Sequence, residues 1–145
     1  MEGMPVRFYL YRHQDYWEAE LPVGWVVEHY KSELSLINGA GNTIFTIRTT
    51  LKVDWESRYN DTEEKRLKVL ADYRRLSDED AERKPIADYK SWNGSLQASF
   101  RTRLWRFSGK EFLMNVIQNT KTDKVDPGVD SVVERFVNTL RVVNV

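Results

Sequence analysis

Histidine is the side chain best suited to acid–base work near neutral pH, and the chain carries two, His13 and His29. His13 and Asp15 are close enough in sequence to share a metal, but a metal site takes three or four ligands and no third is indicated. His29 alternates with Val26 and Val27 as a strand residue does and gains no chemistry from its neighbours. There is no G-x-S-x-G elbow, no H-E-x-x-H pair and no cysteine, so hydrolase, zincin and thiol chemistry all lack their groups. Gly39-Ala40-Gly41-Asn42 contains a G-x-G, yet the residues after it alternate like a strand, whereas a phosphate cradle opens a helix. It reads as a hairpin loop, where glycine supplies turn geometry. The carboxylates Asp78, Glu79, Asp80 and Glu82 are accounted for by a solvated helix end. The expectation is a non-enzymatic protein with no metal and no cofactor.

One pattern does point outward. From Ser95 to Phe107, period-2 alternation places Gln97, Ser99, Arg101, Arg103, Trp105 and Phe107 on one face of a strand. Residues 86–121 hold six basic side chains against two acidic ones. Arginine interleaved with aromatics is the make-up of a single-strand nucleic-acid platform. Against nucleic acid stands the whole chain, whose 22 basic and 22 acidic residues cancel and leave no long-range field to gather a polyanion. Arginine and tryptophan are also the residue types that anchor protein interfaces, so the expected partner is a protein and the expected contacts are Arg101, Arg103 and Trp105.

The elements that must position these residues follow from periodicity. Tyr16–Leu21 sets Trp17, Ala19 and Leu21 on one face, and Pro22-Val23-Gly24 turns the chain into a second strand, Trp25–Tyr30. Leu34–Ile37, the loop 38–42 and Thr43–Val53 make a hairpin with Phe45, Ile47, Leu51 and Val53 on one side. A central helix is expected from Asp61, with Glu64 at capping-box spacing, to Lys84, carrying Val69, Leu70, Tyr73 and Leu76 as a narrow stripe. Its eight acidic and seven basic residues support helix rather than advertise a partner. Ile86–Trp92 and Ser95–Phe107 flank Asn93-Gly94, a type I′ signal, and Ser108-Gly109 leads to a third strand, Glu111–Asn119. Asp126, Pro127 and the apolar series Val129, Val132, Val133, Phe136, Val137, Leu140 and Val143 mark a C-terminal helix that must lie on a sheet.

At 145 residues and 41% hydrophobic, with no repeat or linker-like tract, the chain is long enough for one domain over residues 1–145 with its own core. No stretch reaches the ~20 apolar residues of a membrane span, and the start lacks the ~7–15-residue apolar run of an export signal. A cytoplasmic location is the expectation; an exported form whose leader has been removed fits the same residues.

Three motifs, ELPVGW at Glu20–Trp25, YKSWNG at Tyr89–Gly94 and the closing VVERFVNTLRV, resemble the PsbP-like family. That fold is shared by the photosystem II protein, a Ran-binding import factor, DcrB-type lipoproteins and type VI effector-associated chaperones. The resemblance spans about residues 16–143. It implies an α+β fold, an α/β/α sandwich around a mainly antiparallel sheet with one central and one C-terminal helix, and a role in binding other macromolecules without catalysis. Trp25 resembles the structural anchor of the Pro-x-Gly-Trp turn. No lipobox cysteine is present, and no set of family contact residues maps onto this chain. The expected function is therefore an adaptor or chaperone-like protein-interaction module; the alternative is a small-molecule or lipid binder with an aromatic-lined cavity between helix and sheet.

Overall fold

In the computed structural model, which describes residues 6–58, 62–77, 83–122 and 127–143, the chain builds two sheets and three helices. Strand β1 (Phe8–His13) pairs with β2 (Trp17–Pro22), and β10 (Arg141–Val142) pairs with the other side of β2, giving a three-stranded antiparallel sheet. The larger sheet runs β3 (Val26–Tyr30), β4 (Glu33–Ile37), β5 (Thr43–Leu51), β9 (Phe112–Lys121), β8 (Ala98–Ser108), then β6 (Arg74–Arg75), with β7 (Ala87–Asn93) also paired to β8. All pairs are antiparallel except the short β6–β8 contact. Helices α1 (Lys52–Arg58) and α2 (Glu63–Ala71) follow β5, and α3 (Pro127–Thr139) precedes β10. The fold is α+β with mainly antiparallel sheets.

Alternation decides which face is the core. Along β9, Phe112, Met114 and Val116 are buried on one face, and the register sets Phe107 and Trp105 of β8 beside Met114 and Val116. The apolar stripe of α3 lies against this inner face: Val132, Val133, Phe136, Val137 and Leu140 join Leu34, Leu36, Phe45 and Ile47 in one cluster. Trp17, Ala19 and Leu21 of the small sheet close the same cluster from the side, with Trp17 edge-on to Phe136 at 5.6 Å and its indole N–H bonded to Thr49 Oγ1 at 3.0 Å. Glu18 knits the small sheet, accepting from Arg141 Nε at 2.6 Å and standing 3.7 Å from Arg12. On the outer face Tyr73, just past α2, accepts a hydrogen bond from Asn115 and lies under Arg106.

Several expectations change. The turn at Pro22-Val23-Gly24 joins strands of different sheets, with Gly24 at φ 93°. Trp25 is half-buried against Phe45, whereas Trp17 and Trp105 are the buried indoles among the described residues. Strand β5 ends at Leu51, and Val53, expected in the core, is 70% exposed on α1. The central helix is α2 alone, capped by Thr62, whose side chain accepts from Lys65 N–H; Asp61, Asp126 and Asp78–Glu82 lie outside the described residues. Tyr73 and Leu76 follow the helix rather than ride on it, and Leu76 bonds to the carbonyl of Ser108. The β7–β8 connection is a four-residue loop, 94–97, not a two-residue turn: Asn93 Oδ1 accepts from Leu96 N–H, and the left-handed residue is Gln97 at φ 47°.

Candidate functional site

The arginine strand is where the sequence pointed. Register places Arg101 opposite Thr120, Arg103 opposite Gln118 and Trp105 opposite Val116, all on the inner face. Toward that face comes the first turn of α3 with Asp130 and, one turn on, Glu134. Arg103 donates through Nε to Gln118 Oε1 at 2.7 Å, through Nη1 to Glu134 at 3.1 Å and through Nη2 to Asp130 at 3.5 Å, with its Cζ 4.9 Å from the centre of the Trp105 ring. Gln118, fully buried, also donates to Asp130 at 2.7 Å. Arg101 holds Asp88 of β7 bidentately at 3.0 and 2.9 Å and reaches Asp130 at 3.2 Å. This donation keeps the Asp88 carboxyl below its usual range and raises Arg101 in turn.

The other end of α3 is held too. Arg83 donates to the carbonyls of Val137 and Leu140, the unpaired acceptors of the helix C-terminus, and Trp105 Nε1 donates to the Arg83 carbonyl at 3.2 Å. The strand that looked like a contact surface is thus a brace under α3. Trp105 is 2% exposed and Arg103 5%, so neither offers surface to a partner while α3 is in place. Arg101, with a third of its side chain exposed, does. The signal that foretells this brace is Gln118: the inner series Phe112, Met114, Val116 runs into a buried amide, which must find polar partners.

Arg101 lines an open groove of about 640 Å³ beyond the first turn of α3. Lys90 of β7, Lys121 at the end of β9, and the loop carrying Asn38 and Asn42 form its rim. That loop is the G-x-G segment, a hairpin connection in which Asn38 Oδ1 accepts from the N–H groups of Ala40 and Asn42. The aromatics expected to line a cavity are packed on each other instead, Phe45 on Phe136 at 5.3 Å and Tyr16 on Phe112 at 5.7 Å.

Beside the groove runs β7, which among the described residues pairs with β8 alone. Its apolar side chains are turned to water: Tyr89 is 54% and Trp92 65% exposed, and Ile86 and Leu96 at its ends are exposed as well. Tyr89 pairs with Thr102 and Trp92 with Ser99, so the two rings stand on opposite faces of the strand. The sequence carries this signal in their spacing, since aromatics three apart in a strand cannot both face a core.

The histidines converge where the two sheets meet. His13 stacks on Trp17 at 5.0 Å, and His29 Nε2 is 3.3 Å from the Tyr11 hydroxyl. Burial, and then His29, lower the His13 pKa. Among the described residues no three His, Asp or Glu side chains gather as metal ligands, and no helix is long and apolar enough to cross a membrane. In comparison with known proteins, no family model and no curated protein matches the chain.

Proposed function

We propose that the protein is a non-enzymatic interaction module, adaptor- or chaperone-like, that binds a protein partner along the β7 edge of its larger sheet. The observation that carries this reading is an edge strand with Tyr89 and Trp92 exposed on its two faces. An edge offers main-chain donors and acceptors that only another strand satisfies in register. Tyrosine and tryptophan supply much buried area for little lost side-chain freedom, which is why they anchor interfaces. The resemblance to the PsbP-like family supports the same class of role, and the contact set moves from Arg103 and Trp105 to Tyr89, Trp92 and the exposed part of Arg101.

The test is affinity capture from the source organism's lysate with wild type and with Tyr89→Ser/Trp92→Ser, followed by mass spectrometry. Both substitutions are at exposed sites and should each move stability by no more than about 0.5 kcal/mol. The expected result is one stoichiometric protein held by wild type and lost with the double variant at an unchanged thermal midpoint. A partner retained by the variant, or none held by wild type, would overturn the reading.

A further inference from the structure

Every residue of β7 from Asp88 to Asn93 is exposed, and among the described residues no strand pairs with its free side. One face carries Asp88, Lys90 and Trp92, set opposite Arg103, Arg101 and Ser99 of β8; the other carries Ala87, Tyr89 and Ser91, opposite Leu104, Thr102 and Phe100. A lysine on an edge strand ordinarily bars a further strand. Here an acid stands two residues before it on the same face, so most registers are barred and one is favoured. A second copy brought to the edge by a two-fold axis normal to the sheet runs antiparallel and keeps its faces, so one residue of β7 sits opposite its own copy and that choice fixes every other pair. With Asp88 at the centre two acids meet, with Lys90 two bases, and with Ser91 the ammonium meets Trp92. With Tyr89 at the centre Asp88 meets Lys90 twice over, tyrosine meets tyrosine, and Trp92 comes level with Ile86, the exposed apolar residue just before the strand. Asp88 already accepts from Arg101 at 3.0 and 2.9 Å, and a carboxylate with about four acceptor sites can take an ammonium as well. Lys90, which faces Arg101 across the ladder, gains an acid on its other side.

Resting on the reading of β7 as a pairing edge, we infer that this edge is self-complementary: two copies of the chain join β7 to β7, antiparallel, with Tyr89 on the two-fold axis. The two charge pairs and the central tyrosine pair each bring Cβ atoms to about 4.5–5.5 Å, where opposite charges attract and rings pack. A strand of seven residues is well short of the roughly 20–30 residues a side of a standard interface, so the dimer is weak and its population rises with concentration. That weakness suits the edge proposed above: the second copy shields it from indiscriminate pairing and gives way to a partner strand that binds more tightly.

The experiment is sedimentation velocity of the intact protein over a concentration series, beside Lys90→Glu, Asp88→Lys and an equal mixture of the two, each variant checked for an unchanged thermal midpoint. Wild type should pass from monomer to dimer. Either variant alone sets like charges opposite each other twice and should weaken the dimer roughly tenfold or more, whereas their mixture restores both pairs and should associate as wild type does. The chain has no cysteine, so a single introduced one reports the register. On oxidation Tyr89→Cys should cross-link two copies, and Ser91→Cys, which stands four residues or about 13 Å out of line with its own copy, should not. This cysteine pair decides the question alone if Asp88→Lys, which gives up the bonds to Arg101, shifts the midpoint. Wild type that stays monomeric, with Tyr89→Cys cross-linking no better than Ser91→Cys, would overturn the inference and leave the edge reading to its own capture test. A dimer indifferent to Lys90→Glu and cross-linked through Ser91→Cys would overturn it as well. A dimer in the expected register from a protein that captures no partner would uphold self-pairing and overturn the adaptor reading alone.

Discussion

Arg103 is a cation held out of water, and its environment accounts for the charge bond by bond. Gln118, Glu134 and Asp130 take its donors, and Trp105 stacks on its plane. Replacing it by methionine keeps much of the volume but strands the buried Gln118 amide and leaves Asp130 with fewer donors. The expected loss is roughly 2–4 kcal/mol, because removing one member of a buried polar set leaves the others unsatisfied. Urea denaturation measures it; a loss under about 0.5 kcal/mol, the scale of a surface change, would show that the brace contributes nothing. His13 gives a prediction in pH. Burial and the neighbouring His29 lower its folded-state pKa, so the folded protein holds the imidazole neutral while the unfolded chain takes up a proton near pH 6.5. Stability contributed by the neutral ring is therefore present above that pH and is lost as pH falls through the folded-state value. Burial and His29 act in the same direction, so the sign stands. His13→Gln should flatten the decline in stability as pH falls below about 6.5, while the further loss at lower pH, where Asp88 and Glu20 protonate, persists. Denaturation curves at stepped pH read both windows, and an unaltered slope in the upper one would refute the assignment.

Elements were legible in the sequence where one face meets the core and the other meets water. Helix α3 is the clearest case: every apolar residue of its stripe is buried, and Val143, which continues the period, is buried too although the helix has ended and the chain has entered the small sheet. Strand β8 was equally clear in its alternation, but what covers a face is a tertiary fact, and the pattern alone could not tell an arginine brace from an arginine surface. Elements without such contrast were lost. Helix α1 buries no residue, and β1 exposes Tyr9 and Leu10 in succession, so neither carries a period. Asn93-Gly94 marks β7 as half of a hairpin, which it is, whereas its place at an edge follows only from the absence, among the described residues, of a second pairing neighbour. The β8–β9 turn yields a prediction at this scale. A Cβ placed on Gly109 would stand 2.2–2.8 Å from the ring of Phe112, a buried side chain packed on Tyr16. Gly109→Ala must push that ring out of place, at about 1–3 kcal/mol for overpacking, and a midpoint equal to wild type in thermal denaturation would mean that the turn yields instead.

On the scale of the molecule, α3 bridges the two sheets, which also touch directly at Trp17–Thr49 and Tyr11–His29. Phe136 meets Trp17 of the small sheet at 5.6 Å and Phe45 of the large sheet at 5.3 Å. Arg135 holds Glu20 of β2 at 2.7 and 3.2 Å, and Thr139 Oγ1 accepts from the Glu20 N–H at 2.9 Å. The same helix is pinned to β8 by Asp130 and Glu134, and its last carbonyls by Arg83. A helix so placed makes the core a common one, and the sheets should unfold together. Phe136→Ala removes the ring that touches both, which for a fully buried phenylalanine costs about 3–5 kcal/mol, more than most substitutions anywhere in a fold. If the two sheets share one cooperative unit, the variant keeps a single transition of undiminished steepness, and tryptophan fluorescence, reporting five indoles of which Trp17 lies in the small sheet and Trp105 in the large, coincides with far-ultraviolet dichroism. Separate transitions by the two probes would show instead that β1, β2 and β10 form an attachment to the larger sheet. In that event the edge at β7 proposed to bind a partner, supported by β8 alone among the described strands, would outlast the loss of the small sheet.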